Sequence, residues 1–190
     1  MSGYIMDRIL SEQDLQEARD MAASLEFFDV FQMYNLFDMK RADVSFDREG
    51  QVSGCGFANT LLQYSKHDTC IGLYFLRYVK GSFTRMHHDN NTDLTIVTLL
   101  DDEGLEGGHS LVMETYKQRD RPGDQVCHRS GGEEEAPPYG KEITPDVLPV
   151  TVGESLVYGP DLKHGVSKVY KGQRLVLVAW FKDGTDKEAI

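Results

Sequence analysis

Apolar residues recur at helical spacing near the start of the chain, where Leu15, Ala18, Ala22 and Leu25 fall on one face. Ser11 precedes Glu12, Gln13 and Asp14, a capping residue followed by acids in a first turn, so an opening helix is predicted there. In VSFDREGQVSGCGF, Val44 and Phe46 run into the turn-forming residues Asp47 to Gly50, which predicts a hairpin or finger. After Cys70 the texture changes to short runs of branched and aromatic residues: Ile71 to Val79, Thr92 to Leu100, Ser110 to Tyr116, Leu148 to Val152, Ser155 to Tyr158, Gly165 to Val169, and Arg174 to Phe181. Seven such runs separated by turn signals predict a β-sandwich or barrel, with helix mostly on the N-terminal side. The stretch from Lys117 to Asp146 interrupts them. It holds four of the six prolines, the Gly131-Gly132 pair and the acidic triplet Glu133 to Glu135, so it reads as a long insertion, either a lid or a disordered connection.

With 190 residues and a 40% apolar fraction, the chain fits one domain with one core. That domain divides into a helical and hairpin support over 1–70, a β core over 71–182 and the insertion over 117–146. The start MSGYIMDRIL lacks the order of a secretory signal, and no apolar run is long enough to span a bilayer, so a cytoplasmic protein without membrane association is expected. Cys55, Cys70 and Cys127 are odd in number and unpaired in sequence, which argues against a disulfide framework or a thiolate zinc knuckle. The net charge of −11, from 31 acidic and 20 basic residues, repels a phosphate backbone and makes nucleic acid an unlikely partner.

Chemistry enters with RMHHDNNTDL. His87 and Asp89 are two apart, so at a strand end both side chains leave from one face while His88 points the other way. One imidazole and one carboxylate so placed need a second imidazole to complete the triad that holds iron(II) on one side and leaves three positions open. Taken alone, the triplet reads as readily as a surface turn.

The context is DLKHGV followed by KVYKGQRLVLVAWF. His164 enters one strand and Arg174 begins the next, ten residues on, across a turn at Gly172. The two strands are expected to be antiparallel neighbours, which brings both side chains over one cavity. An arginine pointing into a barrel of Val and Leu needs an anion, and its planar fork suits a carboxylate.

From about Tyr74 to Phe181 the sequence resembles the prolyl 4-hydroxylase type of 2-oxoglutarate and iron(II) dioxygenases. The Tyr78-Val79-Lys80-Gly81 segment leads into His87-His88-Asp89, Glu106-Gly107-Gly108 looks like the family's double-glycine strand entry, and Val152 to Leu156 precedes the distal histidine. The segment HGVSKVYKGQR then looks like the distal histidine, turn and co-substrate arginine, with Trp180 six residues further on as a pocket wall. The resemblance implies a double-stranded β-helix, a jelly-roll or cupin-like core, with N-terminal helices. It also implies iron(II) on His87, Asp89 and His164, and 2-oxoglutarate on Arg174 and Tyr78, with oxygen as oxidant and ascorbate as an optional reductant. Where related enzymes place a second polar contact to the 2-oxoglutarate tail, this chain has Leu99, so Tyr74, Thr95 or a water is expected to assist; Tyr74 shares the parity of Tyr78 and is preferred. Trp180, Val166 and Arg85 are the expected substrate-pocket residues.

Among the other histidines, His109 is expected on the outer face, and His67 and His128 in solvated loops. Because Asp89 is present, no metal position is vacated for a halide, which favours hydroxylation over halogenation. The resemblance gives a prolyl residue in a peptide or protein as the first substrate class. A free amino acid or other small molecule, anchored by Arg77, Arg85 or Lys163, and a non-catalytic ligand-binding barrel are the rivals. The oligomeric state is not legible in the sequence.

Overall fold

A computed structural model describes residues 3–31, 37–45, 55–113 and 145–183. The predicted hairpin turn and nearly all of the insertion lie outside these residues. The elements in chain order are β1 (Tyr4–Asp7), α1 (Glu12–Ser24), β2 (Phe28–Phe31), β3 (Phe37–Asp43), α2 (Gly56–Ser65), β4 (Thr69–Tyr78) and β5 (Phe83–His87). There follow β6 (Leu94–Asp101), β7 (Glu106–Gly107), β8 (Ser110–Met113), β9 (Asp146–Leu148), β10 (Ser155–Tyr158), β11 (Lys163–Val166), β12 (Val169–Lys171) and β13 (Arg174–Lys182). Eleven strands form one curled antiparallel sheet in the order β1-β10-β6-β13-β4-β3-β5-β11-β8-β9, with β2 on β3, while β7 and β12 pair separately. This is the expected jelly-roll core. No helix among the described residues is long and apolar enough to cross a membrane.

The opening helix forms where its pattern predicts. The Ser11 side chain accepts from the Asp14 N–H, Asp14 accepts in return from the Ser11 N–H, and Leu15, Ala18 and Ala22 are buried. The helix α2 has no local cap, because Cys55 offers none. Glu17 of α1 supplies it instead, accepting from the Gly56 N–H at 2.9 Å and the Phe57 N–H at 3.4 Å. A cap that arrives from 39 residues away leaves no local signature, so the sequence carries no start signal for this helix.

The continuous apolar run of β13 serves two cores. Leu175, Leu177, Ala179 and Phe181 face the helices with Phe57, Leu61, Leu73 and Phe75, whereas Val176, Val178 and Trp180 face the barrel interior with Tyr74, Tyr78 and Leu99. A strand covered on both faces cannot alternate in polarity. Phe57, Phe75 and Phe181 are fully buried, each contributing about 1.5–3 kcal/mol relative to exposure.

Three strand expectations change. Pro149 lacks the N–H a ladder needs, so the run predicted from Leu148 to Val152 pairs only over Asp146–Leu148. The run from Gly165 to Val169 is two strands, β11 and β12, that pair with different partners. His164 and Arg174 are therefore not hairpin neighbours: β11 lies between β5 and β8, and β13 lies between β4 and β6. The chain crosses through β12 before β13 begins, and both side chains line one cavity between these walls.

Candidate active site

The cavity between these walls has a volume of about 320 Å³. His87 closes β5 and His164 lies directly opposite it on β11, with ring centroids 4.3 Å apart. Asp89 follows just beyond the strand and is buried. Its Oδ1 sits 3.6 Å from His87 Nε2 and 3.7 Å from His164 Nε2. Two donors closer than about 4.2 Å can share an ion bound at about 2.1 Å from each, so the spacing suits one metal. Each histidine is also oriented for it. Nδ1 of His87 is 2.9 Å from the Arg85 carbonyl and Nδ1 of His164 is 3.1 Å from the Leu162 carbonyl, so each Nδ1–H donates to backbone and Nε2 presents its lone pair.

Burial pushes the His164 imidazole down to about 4, which keeps it neutral at physiological pH. Burial acts on Asp89 in the opposite sense, but the neighbouring imidazoles of His87 and His164 and the Thr95 hydroxyl outweigh it, and the carboxyl stays below its ordinary value. The donor set is thus the imidazoles of His87 and His164 and one carboxylate, which fits iron(II).

β11 can approach β5 because residue 165 is glycine: a Cβ there would lie 2.7 Å from the Thr84 carbonyl. A bulge in β5 between Thr84 and His87 brings both of those side chains into the cavity and carries Arg85 out of it. Arg85 is exposed and serves through its carbonyl, not as the expected pocket residue. His88 follows the end of the strand, so alternation no longer governs it. It stands at the cavity rim with Nδ1 3.3 Å from the Pro160 carbonyl, instead of pointing away.

Arg174 is 3% exposed and lines the same cavity. It donates Nη1 to the Gly108 carbonyl at 2.7 Å and Nη2 to Ser110 Oγ at 2.8 Å, while Nε has no partner among the described residues. Gly108 presents that carbonyl from a left-handed conformation, φ +64°, which accounts for the double glycine. The guanidinium makes no ion pair among the described residues, and burial lowers its basicity. A buried cation without a paired anion is costly, so the site is built for an anionic ligand.

Tyr78 stands opposite Arg174 in the β4 to β13 register, with the guanidinium 5.8 Å from its ring and its hydroxyl bonded to Thr84 at 3.0 Å. Tyr74 is four residues further along β4, roughly 13 Å at strand rise, so it does not assist Arg174. Thr95 does not assist either. It is turned to the metal triad, donating to Asp89 Oδ2 at 2.8 Å. Leu99 is plain core, and Ser110 takes the polar position that the sequence leaves open. Trp180 and Val166 line the cavity as expected, with Trp180 edge-on to Tyr74 at 5.3 Å.

Of the other basic candidates, Arg77 stacks on Phe27 at 3.9 Å, and neither it nor Lys163 lines the cavity. Arg41 does, from a strand the sequence analysis does not anticipate. Tyr158 is a further unanticipated neighbour: it is buried and packs on the His164 ring at 4.5 Å, close to Asp89. Ser110 has a signal in the sequence, since its parity opposes that of His109, which is exposed as expected. His67 is not simply solvated but pairs with Asp183 at 2.8 Å.

No protein-family model matches the chain, and no curated protein matches its sequence. Similarity to solved structures is extensive. A 2OG-Fe(II) oxygenase family oxidoreductase from Burkholderia pseudomallei superposes with TM-score 0.62 at 18% identity, over 98% of this chain and 89% of that one. A Trichoplax adhaerens prolyl hydroxylase in complex with a hypoxia inducible factor peptide fragment gives TM-score 0.62 at 13% identity, over 96% and 84%. HygX from Streptomyces hygroscopicus, with nickel, 2-oxoglutarate and hygromycin B bound, gives 0.61 at 16% identity, over 95% and 83%. At these identities the likeness establishes a shared fold.

Proposed function

We propose that this chain is a 2-oxoglutarate- and iron(II)-dependent oxygenase that hydroxylates its substrate. The observation that carries this reading is the pairing, within one cavity, of a His-Asp-His donor set with a buried arginine that has no paired anion among the described residues. A single five-carbon diacid answers both needs, its far carboxylate taking Arg174 and its other end reaching the metal. The solved structures with this fold support it, since HygX is described with a metal and 2-oxoglutarate bound.

His87, Asp89 and His164 would hold the iron. Iron(II) with 2-oxoglutarate and oxygen would supply the oxidising chemistry, coupling decarboxylation of the co-substrate to hydroxylation. The chain's own contribution is geometric. Arg174, braced by Gly108 and Ser110, fixes the tail of the co-substrate, and Tyr78 walls it. Thr95 holds Asp89 and Tyr158 packs on the His164 ring, while Val166, Val178 and Trp180 keep the reacting region apolar. The hydroxyls of Tyr74, Tyr78 and Tyr158 are all raised by burial, so they remain neutral donors.

For the substrate, we propose a prolyl residue in a peptide or protein. The support is the motif resemblance and the peptide carried by the Trichoplax structure; HygX, with hygromycin B, keeps a small molecule as the rival. A cytoplasmic setting belongs to the same proposal. The test is conversion of 2-oxoglutarate to succinate by iron-loaded protein against proline-containing peptides, free amino acids and nucleic acids. Stimulation by a peptide over free proline supports the prolyl assignment, and absence of metal-dependent conversion with every substrate class overturns the oxygenase reading.

A further inference from the structure

Arg41 stands out among the cavity residues, because neither the metal triad nor the 2-oxoglutarate end gives it a task. Its guanidinium lies over the Tyr74 ring, 3.9 Å from the centroid, and Asp43 holds it from one side, 2.7 Å from Nε to Oδ1 and 2.5 Å from Nη2. Stacking and ion pair together fix the orientation of a side chain that would otherwise be mobile at a rim. An arginine has five N–H donors, so the two directed at Asp43 leave three without a partner among the described residues. Trp180 flanks the other side of Tyr74, and its buried indole nitrogen has no acceptor among the described residues.

This wall therefore offers donors. Arginine and the indole N–H cannot accept a hydrogen bond, and the neighbouring Tyr74 hydroxyl is kept protonated. A ligand that fits brings acceptors, and next to a fixed guanidinium the best acceptor is a carboxylate. The anion is not 2-oxoglutarate. Arg41 caps Tyr74 while Arg174 stands at Tyr78, four residues along β4 and roughly 13 Å away, farther than one five-carbon diacid reaches while also binding the metal.

We propose that Arg41 anchors a carboxylate of the substrate, so that the hydroxylated group lies within one or two residues of an acid. This rests on the reading of the cavity given above and names the substrate class it selects. The carboxylate can belong to a free acid, to a peptide C-terminus or to an acidic side chain. The overall charge of −11 disfavours a strongly acidic protein partner, so one local carboxylate on an otherwise neutral ligand is the fit.

The test is calorimetric binding to protein loaded with manganese(II) and saturated with 2-oxoglutarate. It compares N-acetylproline with N-acetylprolinamide, and an internal-proline peptide flanked by Asp with the same peptide flanked by Asn. The acid of at least one pair binds about tenfold or more tightly than its neutral partner. The first pair responding alone identifies a terminal or free carboxylate; the second alone identifies an acidic side chain. Arg41→Gln abolishes the preference while leaving 2-oxoglutarate affinity unchanged, and Arg41→Lys restores part of it. Equal binding of acid and amide in both pairs, or no binding of any of these ligands while 2-oxoglutarate binds, overturns the inference. That comparison needs no variant, so it stands even if Arg41→Gln fails to fold. Failure of 2-oxoglutarate itself to bind overturns instead the reading of the site beneath it.

Discussion

Thr95 donates its hydroxyl to Oδ2 of Asp89 at 2.8 Å, which leaves Oδ1 as the oxygen facing His87 and His164. The pair divides the carboxylate into a held side and a ligating side. Thr95→Val removes the hydroxyl at nearly constant volume, so the carboxylate can rotate; metal affinity should fall about 10- to 100-fold, the range for losing such a supporting contact. Thr95→Ser should restore most of it. Titration of cobalt(II) by calorimetry and absorption checks both, and wild-type affinity with an unchanged cobalt spectrum in Thr95→Val would remove the role.

Arg174→Ala should weaken 2-oxoglutarate binding by about 2–5 kcal/mol, the range for truncating one partner of a buried hydrogen-bonded charge pair. Metal binding should be retained. Lysine at this position keeps the charge but not the fork, and recovers only part. Ser110→Ala removes one neutral brace and should cost about 0.5–1.5 kcal/mol. Calorimetry on the manganese(II) protein measures all three, and unaltered affinity in Arg174→Ala would assign the tail elsewhere.

Three substitutions distinguish the triad from its surroundings. Asp89→Ala should abolish metal-dependent turnover, whereas Arg85→Ala, with its side chain outside the cavity, should leave turnover intact. His88→Ala should retain most of it, since His88 stands at the rim outside the donor cluster. Iron retained at full activity in Asp89→Ala would sink the triad.

The metal-free protein should lose stability on acidification from pH 6.5 toward pH 4. Burial holds the folded His164 at about 4 against an ordinary 6.5, so in this window the unfolded chain binds the extra proton. The stabilisation is full above 6.5 and is lost as pH falls through the window, on the order of 3 kcal/mol at about 1.4 kcal/mol per pH unit. Asp89, whose carboxyl is lowered, adds a loss in the same direction at lower pH. Urea unfolding in chelator at pH 7.5, 6, 5 and 4 measures it (buffers chosen about these values); a flat profile that His164→Gln does not change would contradict the assignment.

Glu17→Ala should destabilise the fold by about 0.5–2 kcal/mol, because α2 then loses its only side-chain cap among the described residues. Chemical denaturation checks this. Activity per folded molecule should be kept, since Glu17 lies on the helical side of β13.

What the sequence by itself determined was whatever depends on near neighbours. The α1 cap and its apolar face, the strand runs of β4, β6, β10 and β13, and the spacing of His87 to Asp89 are local, and each was legible as a pattern of residues. Arg174 could be read too, because a charge inside an apolar strand demands an anion wherever the strand lies. Tertiary structure decided what depends on pairing across long separations. Glu17 caps a helix that starts 39 residues away, Ser110 braces an arginine 64 residues on, and His164 and Arg174 line one cavity from strands that do not pair with each other. A bulge removes Arg85 from the cavity, and β3, with little apolar alternation of its own, brings Arg41 in. Periodicity carries the faces of an element, but which face meets which is fixed by register and strand order. Those follow from burying two cores at once, which no single segment encodes.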